Sequence, residues 1–384
     1  MQIQNLSFKK NENKIKILIL LPRQLGDVLL GTPILQVLNE QIPNSTVDWF
    51  AHPMAKQILE NQPYLNEAHY YPVWSKKSKE FKNKFSFILF FSFLKFLWES
   101  ICFAFRLRNK NYNIVIDAMN NPRSAIQSFI SNAKIKISFK AHFSRNWIYH
   151  FLIDRTLLTH NYLGHSRLQL LSPLGIDLSK LKLNEIYPSL PFNEEHTQKI
   201  KSWMAALQQP DKPIILLSPT HRHQVRQWPK EHYVDLGSLL CKNHPVQIVW
   251  LWGPGEKFFV EELNKQLQSK LRELHLSENL SSLAPELTLK ETAALASLSC
   301  GWVGNSNGLS HVVVSAKCKT LELHGPTYPP SWCHPNHARH QWLQRQTGCI
   351  QCSKNVCKQK THECLDFLSC AEVYTKFAKL VFLF

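Results

Sequence analysis

The stretch Gly301 to Thr327, GWVGNSNGLSHVVVSAKCKTLELHGPT, is the strongest constraint on the fold. It reads as a strand end, a glycine-bearing turn, a short helix, a second strand and a second glycine turn. That order belongs to an α/β fold. Gly304, Gly308 and Gly325 are expected to let the backbone approach a ligand closely or take positive φ. A helix opening near Asn307–Gly308 would aim unpaired N–H groups and a positive dipole end at whatever lies above it. That makes a ready site for a phosphate or diphosphate. Ordinary turn glycines in a βαβ connection would give the same pattern.

The same rhythm recurs along the chain. Ile15 to Leu21 is a short apolar run ended by Pro22, the mark of a buried parallel strand. The turn Arg23-Gln24-Leu25-Gly26-Asp27 follows, then an amphipathic helix from about Val28 to Asn39. Asp27 thus falls at the C-terminal edge of a first strand, where open α/β sheets bind ligands. It also suits a helix N-cap. Val47 to Ala51 and Asn113 to Asp117 read as further strands, and Arg123 follows the second of these. Arg123 fits the same site as Asp27 or a plain surface position. Asn184 to Asn193, with Pro188 and Pro191, reads as an interdomain linker, giving domains 1–190 and 191–384. At 384 residues there is room for both.

The second half restarts with a helix over Glu194–Leu207 and a strand over Pro213–Ser218. The loop after that strand carries Thr220, Arg222 and Arg226, and Trp228-Pro229 opens the next helix. Guanidinium groups at a strand's C-terminal edge suit a diphosphate, and they also suit solvent. Val246 to Trp252 ends in Gly253-Pro-Gly-Glu256, where a carboxylate can accept hydrogen bonds from a ribose diol or cap a helix.

Phe85 to Phe105, FSFILFFSFLKFLWESICFAF, interrupts this pattern. Its 21 residues would reach across a bilayer. Lys95 and Glu99 at its centre would each cost about 2.5–3.5 kcal/mol there. Spanning would also divide one sheet between two sides of a membrane. The expectation is therefore a helix lying in the headgroup region, with burial against the sheet as the alternative. Lysines 76, 77, 79, 82 and 84 precede it, and Arg106, Arg108 and Lys110 follow. Charge supports an anionic partner on this side. Residues 1–191 hold 24 basic and 12 acidic side chains, and residues 192–384 hold 21 and 16.

The N-terminus has no apolar run followed by a small-residue cleavage site, so no secretory signal is expected and the chain should stay in the cytosol. In that compartment the ten cysteines are thiols or metal ligands rather than disulfides. Cys349, Cys352, Cys357, Cys364 and Cys370 cluster in the tail, with only one C-x2-C pair for a zinc site. No nucleic-acid motif accompanies the positive charge.

Four segments resemble, in order and spacing, the lipopolysaccharide heptosyltransferases of glycosyltransferase family 9. They are ILILLPRQLGDVLLGTPIL at 17–35, VIDAMNNPRSA at 115–125, LLSPTHRHQVRQWPKEHYVDL at 216–236 and VGNSNGLSHVVVSAKCKTLELHGPT at 303–327. The tail cysteine pattern is similar to that of many members. The resemblance implies a GT-B fold, two Rossmann-like domains facing across a cleft. It implies an acceptor-binding N-terminal domain and a nucleotide-sugar-binding C-terminal one. It also implies metal-independent, inverting transfer from ADP-L-glycero-D-manno-heptose to a lipid-linked saccharide, with no cofactor; the Phe85–Phe105 segment and its basic flanks are then expected to hold the chain at the inner face of the cytoplasmic membrane. Asp27 matches the family's proposed catalytic base, with Arg23, Gly26 and Arg123 expected around the acceptor. Arg226 stands where many members carry a phosphate-binding Lys in KxWP, and Glu256 matches the acidic residue near the ribose. Ser306, Asn307, Gly308 and His311 match the (D/N)(S/T)GxxH donor loop, with Thr220 and Arg222 on the neighbouring loop. Ser306 stands where an Asp often opens that motif, and Asn307 replaces a Ser or Thr. The loop from Arg222 to Arg226 is one residue longer than usual. A different nucleotide-sugar, or a weakly active membrane-bound partner of other transferases, are the alternatives.

Overall fold

The computed structural model describes residues 14–73, 86–155, 162–359 and 362–382. The chain divides into two compact units, Met1–Lys182 and Leu183–Phe384.

In the first unit, β1 (Ile15–Leu20) leads to α1 (Leu25–Leu29), α2 (Pro33–Gln41) and β2 (Ser45–Ala51). Next come α3 (Lys56–Leu59), β3 (Glu67–Tyr70), α4 (Ser86–Asn109) and β4 (Ile114–Asp117). Then follow α5 (Pro122–Ile130), β5 (Ile135–Phe139), α6 (Phe143–Asn146), β6 (Phe151–Ile153) and α7 (Leu163–Ser166). The sheet is all parallel, in the order β3-β2-β1-β4-β5-β6. Ile17–Leu20 and Ile114–Ile116 are fully buried, as continuous apolar runs covered on both faces must be. The single helix expected over Val28–Asn39 is two helices. The chain breaks at Leu30–Thr32, and Pro33, with no N–H to satisfy, starts the second.

In the second unit, α8 (Glu194–Ala205) precedes β7 (Ile214–Ser218), α9 (Lys230–Asn243), β8 (Gln247–Trp250) and α10 (Lys257–Glu273). Next come β9 (Ser281–Leu283), α11 (Leu289–Ser297), β10 (Gly301–Asn305), α12 (Gly308–Ser315) and β11 (Thr320–Leu323). β12 (His340–Leu343), α13 (Glu363–Asp366) and α14 (Cys370–Val381) complete it. Its parallel sheet runs β12-β11-β10-β7-β8-β9. Numbered from its own first strand, that is the same order as in the first unit. Both are Rossmann-type sheets, with the order reversing between β1 and β4 and between β7 and β10. Ligands bind beyond the carboxyl ends of the strands at such points. Leu321 and Leu323 enter the core under α9, α10 and α14, and Trp302 enters the one under α8, α11 and α12. The segment expected as a linker packs onto the second unit: His334 stacks on Tyr187 at 4.1 Å and meets the Ile186 carbonyl at 3.0 Å.

No helix among the described residues is long and apolar enough to cross a membrane. Lysines 76–84 of the basic cluster lie outside the described residues, as do the side chains of 86–93, 96 and 97. Lower on α4, Phe103, Ala104 and Leu107 are buried, and Phe103 and Leu107 pack with Phe50 and Tyr71. Leu94, Trp98, Ile101 and Phe105 are exposed, Trp98 at 68% and Phe105 at 60%. Their spacing of four, three and four residues places them on one face. Lys95 and Glu99 pair at 3.9 Å, both exposed.

Candidate active site

In the first unit the switch point is built around Asp27. The N-cap of α1 is Gln24, so Asp27 lies inside the first turn and the N-cap reading does not hold. Its carboxylate accepts instead from two guanidinium groups. Arg23 Nε reaches Oδ2 at 3.1 Å, and Arg167 Nη2 reaches Oδ1 at 2.7 Å. Arg167 Nη1 also donates to the Asp27 carbonyl at 2.5 Å. The side chain of Arg167 is 8% exposed and that of Asp27 is 23% exposed. Burial pulls the Arg167 pKa down, and the Asp27 charge opposes that pull. Arg155, over the Phe139 ring at 4.7 Å, lies near enough to repel both Arg23 and Arg167. Two guanidinium groups therefore hold a partly open carboxylate, with a third close to them, a setting for an anionic ligand.

Asp117, at the end of β4, is the other carboxylate of this edge. Burial raises its pKa, and Tyr149, Asn120 and Met119 oppose that by donating to it. Fully buried with both oxygens engaged, it serves the turn. Arg123 lies 4.4 Å over the Tyr71 ring, lining a cavity of about 340 Å³ with Phe50, Phe103 and Ile126. Among the described residues it makes no hydrogen bond or ion pair with Asp27.

The second unit's switch point is a polar network across three loops. Asn305 is fully buried; it accepts from the Trp228 N–H at 2.9 Å and donates to the Pro219 carbonyl at 2.9 Å. Asn307 caps α12 by accepting from the Leu309 N–H, and donates to the Thr220 carbonyl at 3.1 Å. The Thr220 hydroxyl and the Gly253 N–H both donate to Glu256 Oε2 at 2.8 Å. Glu256 occupies the N-cap position of α10 but makes no cap bond. Arg226 donates from Nη2 to Asn355 at 3.0 Å, and its Nε is buried with no partner among the described residues. Burial lowers its pKa. Burial first, and then Arg226, push His221 down to about 4, so that ring is neutral near pH 7. The loop thus keeps a guanidinium with an unused donor, and Gly308 is exposed at the start of α12.

The glycines act differently from the expectation. Gly304, Gly308 and Gly325 all lack positive φ; among glycines only Gly175 and Gly255 have it. A Cβ at Gly304 would lie 2.3 Å from the Trp302 ring, and one at Gly325 2.9 Å from Leu365. Those two are set by packing. A Cβ at Gly308 would meet nothing within 4 Å, so only Gly308 keeps an open approach.

A family model described as "Glycosyltransferase family 9 (heptosyltransferase)" matches residues 102–363. The chain belongs to glycosyltransferase family 9. It is 22% identical to the lipopolysaccharide heptosyltransferase 1 of Campylobacter coli over 332 residues, 82% of this chain and 84% of that one. A solved family 9 glycosyltransferase from Veillonella parvula superposes with a TM-score of 0.73 at 18% identity, covering 96% and 97% of the two chains. The Escherichia coli ADP-heptose LPS heptosyltransferase II does so with a TM-score of 0.70 at 18% identity, covering 96% and 98%. The two Rossmann-type sheets are those of the GT-B heptosyltransferases.

Within this family 9 chain the structure brings Asp27 and Arg23 together, and in the second unit Thr220, Glu256 and Asn307. Arg222 is exposed on the same loop as Arg226, and His311 is buried with its ring parallel to Trp332 at 6.1 Å. Arg155 and Arg167 are the residues that sequence reasoning did not find. The tail cysteines are free thiols. Burial, and then the neighbouring thiols of Cys349, Cys357 and Cys352, push Cys364 up to about 11. Among the described residues only Asp48, Glu67 and His69 gather ligand atoms at metal-binding spacing. Tyr112, Asn66 and Lys110 already bond those carboxylates, which join β2 and β3 to the chain before β4.

Proposed function

We propose that this enzyme transfers a heptose from an ADP-activated donor onto a lipid-linked saccharide, inverting the anomeric centre without a metal ion. The observation that carries the reading is the partly open Asp27 carboxylate at one switch point and the Arg226, Glu256, Asn307 and Gly308 group at the other. Asp27 takes the proton of the attacking acceptor hydroxyl. Arg23 and Arg167 orient its two oxygens, and Arg155 adds charge for an anionic acceptor. Arg226 and the N-terminus of α12 stabilise the leaving diphosphate, which is the charge a metal would otherwise supply. Glu256 Oε2 is held by Thr220 and Gly253, so Oε1 is turned to a ribose diol. That Escherichia coli relative named for ADP-heptose supports the donor class. Ser306, in place of an acid, favours a changed set of donor hydroxyl contacts and keeps a different nucleotide-sugar as the second reading.

The test is turnover with ADP-heptose against UDP- and GDP-sugars on a lipid-linked acceptor, with and without chelator. Product of inverted configuration from ADP-heptose alone, unaffected by chelator, is expected. Turnover only with another donor would move the reading to that sugar. Its absence with every donor, while ADP still binds, would favour the inactive-partner alternative. Arg226→Ala should weaken free ADP by about 1.5–3 kcal/mol, the value of a hydrogen bond to a charged group, read by calorimetry. Equal affinity would show that Arg226 is not a phosphate ligand.

The first unit is proposed to rest on an anionic membrane surface through α4. Leu94, Trp98, Ile101 and Phe105 form one exposed apolar face, and Lys95, Arg106 and Arg108 are exposed beside it. The adjoining α5 leaves Ile126 and Phe129 exposed as well. Each basic residue near such a surface adds about 1 kcal/mol, screened over about 8 Å at physiological salt. Co-sedimentation with vesicles containing anionic lipid should fall with salt and drop severalfold for Leu94→Asp/Trp98→Asp/Phe105→Asp. These side chains are already in water, so the variant should keep its fold. Equal pelleting of variant and parent would remove the membrane face.

A further inference from the structure

The cavity of about 340 Å³ lies between α4 and α5, at the ends of β2 and β3. Its inner wall is aromatic. Phe50 stacks on Tyr71 at 5.3 Å and meets Phe103 of α4 at 5.7 Å, and all three are buried. Pro72 and Ile126 continue the apolar lining, and Ile126 is 55% exposed, so the lining runs out to the surface.

Two polar side chains line the cavity from α5. Arg123 and Gln127 are four residues apart and share one face of that helix. Arg123 is exposed, with its guanidinium carbon 4.4 Å from the centre of the Tyr71 ring. Contact with a ring face leaves its N–H donors for an anion. Gln127 Oε1 is buried and meets no donor among the described residues. A buried amide atom is costly unless something pairs with it.

We propose that this cavity holds one acyl chain of an anionic lipid that carries a hydroxyl close to its head. The chain lies against Phe50, Tyr71 and Phe103, the head meets Arg123, and the hydroxyl meets Gln127. Each part answers a separate property of the cavity. Aromatic and aliphatic walls gain from apolar contact and offer a charged head nothing. A cation at the rim selects an anionic head over a neutral or positive one. A hydroxyl both donates and accepts, so it satisfies the Gln127 amide whichever way that amide is turned. Side chains four apart on a helix stand about 5–6 Å from each other at Cβ, which suits a hydroxyl on a carbon near the anionic group. The volume is at the low end for a ligand pocket, about 300–1,000 Å³, and takes one chain. Ile126 and Phe129 of α5 adjoin the exposed face of α4, so the chain enters from the surface proposed to meet the bilayer. For the source of the lipid, this inference rests on that membrane reading.

Calorimetry on the full chain with 3-hydroxydecanoate, below its micelle concentration, tests the site. One molecule should bind per chain. Affinity should rise about fourfold per methylene from 3-hydroxyhexanoate upward, then level off once the cavity is full. Decanoate, which lacks the hydroxyl, should bind about threefold more weakly or worse. Decyltrimethylammonium should show no saturable binding. Arg123→Gln should weaken 3-hydroxydecanoate about tenfold or more. Gln127→Leu should erase the difference between the two acids. Ser100→Phe, which puts a ring into the cavity from α4, should remove binding. Arg123 is exposed, so its variant keeps the fold even if Ser100→Phe does not. Binding that never saturates, or that is unchanged in Arg123→Gln, overturns the site. Equal affinity of the parent for the two acids overturns the hydroxyl contact. Saturable binding of the acids by a chain that does not pellet with anionic vesicles overturns the bilayer as the source. Pelleting without saturable binding overturns the cavity site and leaves the membrane face standing.

Discussion

Asp27→Asn is expected to lower kcat by about 10²–10⁴-fold while ADP affinity stays within error. The amide keeps the size of the side chain and still accepts through one oxygen, so α1 is preserved. What disappears is the group proposed to take a proton from the attacking hydroxyl. Charge sharpens the expectation. Arg23 and Arg167 both bond this carboxylate, and Asn leaves their two positive charges unbalanced. A modest loss of stability should therefore accompany the kinetic loss, and a thermal melt should be run beside the assay. Asp117 cannot substitute, because Tyr149 and two backbone N–H groups hold its buried oxygens. A variant that keeps more than about half its turnover would remove Asp27 as the base. The interaction with Arg167 would then be its whole role.

Several features of this arrangement were legible in the sequence, each for a physical reason. Ile15–Leu21 and Pro213–Ser218 are apolar runs bounded by turn residues, and a strand buried on both faces has that composition. Asn307 and Gly308 signal the start of α12 because an Asn side chain satisfies a free N–H there. Pro33 was a readable signal for the second helix start, but periodicity alone ran through it. Other features had no local signal. Arg167 lies 140 residues from Asp27, at the end of α7 and the start of a short 3-10 helix, with no motif around it. Its role exists only after the strands of the first sheet bring the two segments together. The glycines misled because sequence cannot separate a glycine needed for φ from one needed for space. Gly304 is small because the Trp302 ring occupies the position of its Cβ. Alternation alone does not separate a half-wet strand from a covered one, and Thr-Leu-Glu-Leu-His at 320–324 is a case. Both faces are covered, which is how a Glu and a His come to be sealed side by side.

Arg167→Ala should lower stability by about 3 kcal/mol and kcat by about tenfold to a hundredfold. Removing one partner of a buried ion pair costs about 3–5 kcal/mol when the other stays buried. Asp27 remains partly exposed and keeps Arg23, so the lower end applies. The kinetic loss has a separate cause. Arg167 spans the Asp27 carbonyl and Oδ1 at once, fixing the side chain against its own backbone. Without it the carboxylate turns toward the exposed Arg23, and a general base displaced by an ångström loses about 10²-fold. Arg167→Lys separates the two effects. A single ammonium group can balance the charge but cannot make both contacts. It should recover most of the stability and little of the rate, as read by thermal melts and initial rates on the same preparations. Recovery of both by Lys would mean that Arg167 supplies charge alone. Loss of stability with kcat unchanged in Arg167→Ala would mean that Asp27 does not need to be held.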